Sequence, residues 1–200
     1  VEGQTNSNWI MKRLRENNIN TTDYLNKMKL KIDFRNTLRQ DEYLKYVQEG
    51  DSVLELGCGL SPFLDMAYNK LAKNCTGIDH NQRLVLFREK ENPNIRFRVG
   101  DVLNTQLETE SFDTVLAGEV IEHIDKPEEL IKEMVRLTKK GGTMILSTPI
   151  LEFDDPEHIW QFSEKSIMKL LKPYGKTVAY TINSDKFKGR SYIFSITIKL

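Results

Sequence analysis

Four acids close four apolar runs in this chain, and two glycines follow the first of them. Val53-Leu54-Glu55 leads into Leu56-Gly57-Cys58-Gly59, Thr76-Gly77-Ile78 ends in Asp79, Val99-Gly100 in Asp101, and Val115-Leu116-Ala117-Gly118 in Glu119. Glycines at such a strand end let the backbone pass close under a ligand, having no Cβ and easy access to positive φ. Ser61 and Pro62 suit the opening of a helix whose unpaired N–H groups would face the same ligand. A carboxylate such as Asp79 can accept from both hydroxyls of a ribose, and Asp101 from an exocyclic amine. Glu55 and the Gly57–Gly59 backbone are then left for a polar, partly cationic tail. A phosphate chain fits poorly among several carboxylates. The dinucleotide fingerprint G-x-G-x-x-G also fails, because proline stands at its third glycine, Pro62.

Those acids need a scaffold that brings strand ends together. Apolar runs at 52–55, 74–78, 95–99, 112–117 and 143–147 alternate with helical segments near 62–72, 81–89 and 127–138. Lys139, Lys140, Gly141 and Gly142 make a favourable helix exit. Ser163 caps a helix through Leu171, and two alternating strands, around 176–182 and 191–200, close the chain. Strands alternating with helices predict an α/β, doubly wound, mostly parallel sheet with an antiparallel edge, whose ligands sit beyond the strands' carboxyl ends. Residues 1–50 read as polar helices, with Trp9, Ile10 and Leu14 on one stripe and Tyr24, Leu25 and Met28 on another. They are expected to form a lid or substrate wall, residues 51–200 the main domain.

In 200 residues, 29 Lys and Arg balance 29 Asp and Glu, so no global field draws the chain to nucleic acid or acidic lipid. Lys165, Lys169, Lys172 and Lys176 follow helical spacing and read as a solvated face. No apolar run reaches membrane-spanning length, and the chain reads as cytoplasmic. Cys58 and Cys75 lack CxxC spacing and suit packing rather than a disulfide or structural zinc.

The first motif, Val53-Leu54-Glu55-Leu56-Gly57-Cys58-Gly59, together with Gly77-Ile78-Asp79, Val99-Gly100-Asp101-Val102, Phe112-Asp113-Thr114-Val115 and Glu119-Val120-Ile121-Glu122-His123, resembles the class I S-adenosylmethionine-dependent methyltransferases. Lys140-Gly141-Gly142-Thr143 is similar to their turn into the fifth strand, so the resemblance covers about 50–150. It implies a Rossmann-like seven-stranded sheet with one antiparallel strand, and methyl transfer by in-line attack on a sulfonium. By residue it implies that Glu55, Gly57, Cys58 and Gly59 line the methionine side of S-adenosylmethionine. Asp79 would bind ribose with His80 beside it, Asp101 and Val102 would hold adenine, and Gly118 and Glu119 would border the methyl. S-adenosylhomocysteine would be the product.

Glu119-Val120-Ile121-Glu122-His123 is similar to the pattern of ubiquinone-pathway O-methyltransferases and their small-molecule relatives, some of which use a metal. On a helix, Glu119, Glu122 and His123 would share a face and could bind a divalent ion. The preferred reading assigns no metal and has Glu122 and His123 pack the turn. His123 or His158 is the candidate general base, His158 also being suited to pinning its loop. Arg35 or Arg39 could pair with the cofactor carboxylate, and Trp9, Tyr24, Phe34 and Trp160 could wall a planar acceptor; surface or core packing is the simpler reading of each.

The leading expectation is methyl transfer to a small molecule, by resemblance at oxygen, by a monomer or homodimer. A protein or RNA acceptor is the alternative within the class. An NAD-type oxidoreductase shares Asp79 but lacks the glycine pattern. A non-catalytic methyltransferase-like module would have no need of the intact acids and glycines.

Overall fold

The computed structural model describes residues 39–70, 72–150, 158–182 and 191–199. The expectations placed on Trp9, Ile10, Leu14, Tyr24, Leu25, Met28, Phe34 and Arg35 lie outside the described residues. Helical residues 39–44 lead into β1 (Ser52–Leu56), α1 (Phe63–Lys70), β2 (Asn74–Asp79), α2 (Gln82–Glu91), β3 (Arg96–Val99) and β4 (Phe112–Gly118). A 3-10 turn at Ile121–His123 precedes α3 (Pro127–Leu137) and β5 (Thr138–Ile150). Next come α4 (Glu164–Leu171), a 3-10 turn at Lys172–Tyr174, β6 (Gly175–Ile182) and β7 (Ser191–Lys199).

The seven strands form one sheet in the order β3-β2-β1-β4-β5-β7-β6. β7 is antiparallel to both neighbours and the remaining pairs are parallel, the Rossmann-like arrangement expected. β1 is central and buried on both faces, which is why Val53–Leu56 reads as a nearly continuous apolar run broken only by Glu55. Reversal of the strand order between β1 and β4 opens a crevice at their carboxyl ends.

One apolar layer packs Phe63, Leu64 and Ala67 of α1 with Phe97 and Phe194 against the sheet; Tyr43, Leu44 and Val47 belong to it. The opposite layer is built on the Leu130, Ile131, Met134 and Leu137 stripe of α3 with Ile167 and Leu171 of α4. Asn81 caps α2 by accepting from the Arg83 and Leu84 amides, and Ser163 forms a capping box with Ser166. No described helix is long and apolar enough to cross a membrane.

Three local expectations are corrected. β5 starts directly at Thr138 and runs past Pro149 to Ile150, longer than 143–147, and the glycines lie within it. Gly141 takes φ +72°, and a Cβ on Gly142 would stand 2.7 Å from the Asp113 carbonyl, where the β4–β5 register shifts. The four lysines do not share a helix face: Lys165 and Lys169 lie on α4, Lys172 in the following turn and Lys176 on β6. Glu119, Glu122 and His123 do not share one either, because Glu119 is left-handed at φ +58° and only a 3-10 turn follows.

Candidate active site

The glycine turn after β1 is held by the end of β2. The amides of Gly57 and Cys58 donate to the Ile78 carbonyl at 2.8 and 3.1 Å, and Gly59 N–H donates to Asp79 Oδ2 at 2.8 Å. These three amides are therefore spent inside the fold, and the turn offers shape and flanking side chains rather than free donors. Gly57 sits at φ +68°, and a Cβ there would stand 2.5 Å from Val120 Cγ2. The other Asp79 oxygen accepts from Asn81 N–H at 2.8 Å, so this carboxylate fastens the β1 turn to the start of α2. Its remaining lone pairs are what it has for a ribose.

A cavity of about 200 Å³ opens beside the turn, lined by Arg39, Tyr43, Glu55, Gly57, Gly59 and Glu119, with Gln40, Cys58, Leu60, Ser61 and Gly118. Six of the expected donor residues meet here: Glu55, Gly57, Cys58, Gly59, Gly118 and Glu119. Asp79, His80, Asp101 and Val102 lie outside its lining. His80 is exposed, its Nδ1 3.7 Å from Asp79 Oδ1, and Asp101 is exposed and accepts from Leu103 N–H at 2.8 Å.

Arg39 stands in this lining rather than on the surface, where the sequence preferred to place it. It is 8% exposed, ion-paired with Glu119 and stacked 4.7 Å from the centre of the Tyr192 ring. Helical spacing would have given the signal: Arg39 is one turn before Tyr43, a core residue whose hydroxyl meets Ser147 Oγ at 2.5 Å.

Glu55 is 3% exposed and its Oε2 has no hydrogen-bond partner. Burial pushes its pKa from 4.5 up to about 8, against the opposing pull of Ser61 and Arg88. This orphaned acceptor lines the cavity beside Gly57 and Gly59 and is available to a hydrogen-bonding, cationic group. The folded state holds this proton more tightly than the unfolded chain, so the stability associated with it is lost as pH rises from 4.5 through about 8. Glu55→Gln is therefore expected to raise the melting temperature, by a margin that widens as pH rises from about 5 to about 8 and levels off above that. A constant margin across that interval would show that Glu55 is ionised throughout.

Past Glu119 a second group forms. Glu122, His123 and His158 each offer a ligand atom, all within 4.8 Å of one another, and the two imidazoles meet edge to face at 4.7 Å. Glu122 is 1% exposed; burial raises its pKa to about 7, and neither carboxylate oxygen completes a hydrogen bond although the Thr148 hydroxyl is near enough to oppose the rise. One acid and two imidazoles fit a borderline divalent ion. The set differs from Glu119, Glu122 and His123 because Glu119 is turned to Arg39, while His158 arrives from the segment after β5. The Ile159 and Trp160 amides donate to the Glu122 carbonyl at 2.9 and 3.3 Å, and Trp160 Nε1 donates to the Ile124 carbonyl at 2.9 Å. Trp160 thus acts as a latch on the turn, half out in solvent.

Residues 54–146 match the sequence family described as "Methyltransferase domain". The ubiquinone biosynthesis O-methyltransferase of Coxiella burnetii is 30% identical over 114 residues, 52% of this chain and 48% of that one. The chain thus spans about half the length of this curated relative. Among solved structures, phosphoethanolamine N-methyltransferase 2 of Haemonchus contortus, in complex with phosphomonomethylethanolamine and S-adenosylhomocysteine, superposes with a TM-score of 0.66 at 13% identity, covering 81% of this chain and 52% of that one. The [4+2]-cyclase SpnF superposes at 0.68 with 16% identity and 80% of each chain covered. Likenesses at these identities speak for the fold, which a cyclase also uses.

Proposed function

We propose that this chain, whose residues 54–146 match the methyltransferase domain family, is a class I S-adenosylmethionine-dependent methyltransferase that moves the methyl group of S-adenosylmethionine to a small-molecule acceptor, at oxygen. The observation that carries the donor half is the cavity at the glycine turn, where the unpartnered Glu55 Oε2, Glu119 and Arg39 meet. Glu55 there suits the sulfonium and ammonium of the donor, and Arg39 suits its carboxylate. The bound donor supplies a methyl on a sulfonium, which leaves its bonding electrons on sulfur as the acceptor oxygen attacks. The protein's part is then chiefly positioning.

The resemblance supports the following roles. Glu55 and the Gly57–Gly59 backbone hold the methionine portion, Asp79 the ribose, with His80 beside it, and Asp101 and Val102 the adenine. Gly118 and Glu119, at the end of β4, border the transferred methyl. The exposed His123 or the half-buried His158 accepts the acceptor's proton. Glu122, His123 and His158 are the residues that would hold a divalent ion, whose chemistry would be to lower the pKa of an acceptor hydroxyl. The oxygen acceptor is supported by the resemblance to ubiquinone-pathway enzymes. A cytoplasmic setting is part of the same proposal.

Incubating the chain with methyl-labelled S-adenosylmethionine and fractionated cell extract tests the acceptor. Label is expected in base-stable small molecules. Label found only in RNA or protein would overturn the small-molecule reading while leaving the donor reading in place.

A further inference from the structure

Arg39 and Glu119 line the same cavity and are ion-paired through Nη1 and Oε1. Their ion pair is mostly enclosed, the Arg39 side chain being 9% and the Glu119 side chain 31% exposed, so solvent screens it less than a surface pair. Glu119 holds this position at a backbone cost. Its φ of +58° is left-handed, a region disfavoured for a residue with a Cβ, and its amide is tied to the Ser147 carbonyl at 2.9 Å. Two ends of the fold meet in this pair: Arg39 comes from the helical residues before β1, and Glu119 directly follows β4.

We propose that the Arg39–Glu119 ion pair is a self-competing contact, which a donor opens with its own carboxylate, so that Glu119 lowers donor affinity and makes binding depend on a carboxylate-bearing ligand. The inference rests on the donor reading above. A ligand carboxylate reaching the cavity meets a guanidinium whose Nη1 is already ion-paired with Glu119 Oε1, and it takes that position only in the fraction of molecules in which the contact is open. A ligand that fills only the adenosine half leaves the pair undisturbed. The cavity beside the glycine turn, at about 200 Å³, takes the amino-acid end of such a donor and not the whole. A different arrangement would have Glu119 receive the ligand's ammonium while Arg39 receives its carboxylate; then Glu119 would raise affinity, and the same variant tells the two apart by sign.

The experiment is calorimetric titration of the full chain and its Glu119→Gln variant with two ligands. One is S-adenosylhomocysteine; the other is 5′-methylthioadenosine, which has the adenosine and sulfur but no amino-acid end. Glu119→Gln is expected to tighten S-adenosylhomocysteine roughly tenfold and to leave 5′-methylthioadenosine within about twofold. Glu119→Asn, which tolerates the left-handed backbone better, should repeat the pattern and guards against misfolding. Unchanged or weaker S-adenosylhomocysteine binding in both variants, or an equal shift for both ligands, would overturn the proposal. Failure of the unsubstituted chain to bind S-adenosylhomocysteine at all would overturn the donor reading, and this inference with it.

Discussion

Gly57→Ala is expected to weaken S-adenosylhomocysteine binding by more than about 100-fold and to lower stability by roughly 2–4 kcal/mol. Two separate penalties act at this position. The backbone sits at φ +68°, where a Cβ is disfavoured, and the new methyl would come within 2.5 Å of Val120 Cγ2. Val120 cannot swing clear, because it is β-branched, 8% exposed and packed in the layer built on α3. The turn must therefore move, and with it the wall beside Glu55. Gly57→Ala combined with Val120→Ala removes the collision but leaves the φ penalty, and should recover part of the loss. Thermal melts and calorimetry on the two variants and the unsubstituted chain check this. Binding by Gly57→Ala within about threefold of the unsubstituted chain would mean that the turn does not shape the donor site.

The second large effect belongs to Arg39. Arg39→Met keeps an unbranched stem against Tyr192, which the guanidinium overlies at 4.7 Å, while removing the charge. Losing a charged partner for the donor's carboxylate in an enclosed site is expected to raise the Kd for S-adenosylhomocysteine roughly 30- to 100-fold. Affinity for 5′-methylthioadenosine should stay within about twofold. Parallel losses for both ligands would identify Arg39 as a packing residue only.

The sheet was legible because its strands are short apolar runs closed by acids and glycines, and because α3 carries its stripe at helical period. That order of elements constrains the topology tightly, and the structure has the one reversed strand in the expected place. Contacts between distant segments were harder to read. Spacing alone put Glu119 on a face with Glu122 and His123, whereas a left-handed Glu119 rotates it out of the set and toward Arg39. His158 joins Glu122 and His123 across more than thirty positions, through hydrogen bonds from the Ile159 and Trp160 amides to the Glu122 carbonyl that no local pattern encodes. Arg39 looked like a surface residue because the docking of its helix against Tyr192 is a tertiary event. The turn's amides are a further case: strand ends with glycine suggest free donors, but Ile78 and Asp79 consume them.

A fold shared with a cyclase does not fix the reaction, so the donor pocket carries the central claim. The most direct test is calorimetric titration of the chain with S-adenosylhomocysteine and, separately, with NAD. Saturable one-to-one binding of S-adenosylhomocysteine, about micromolar, with no measurable binding of NAD is the expected result. Saturable NAD binding by folded protein that gives no heat with S-adenosylhomocysteine would contradict it.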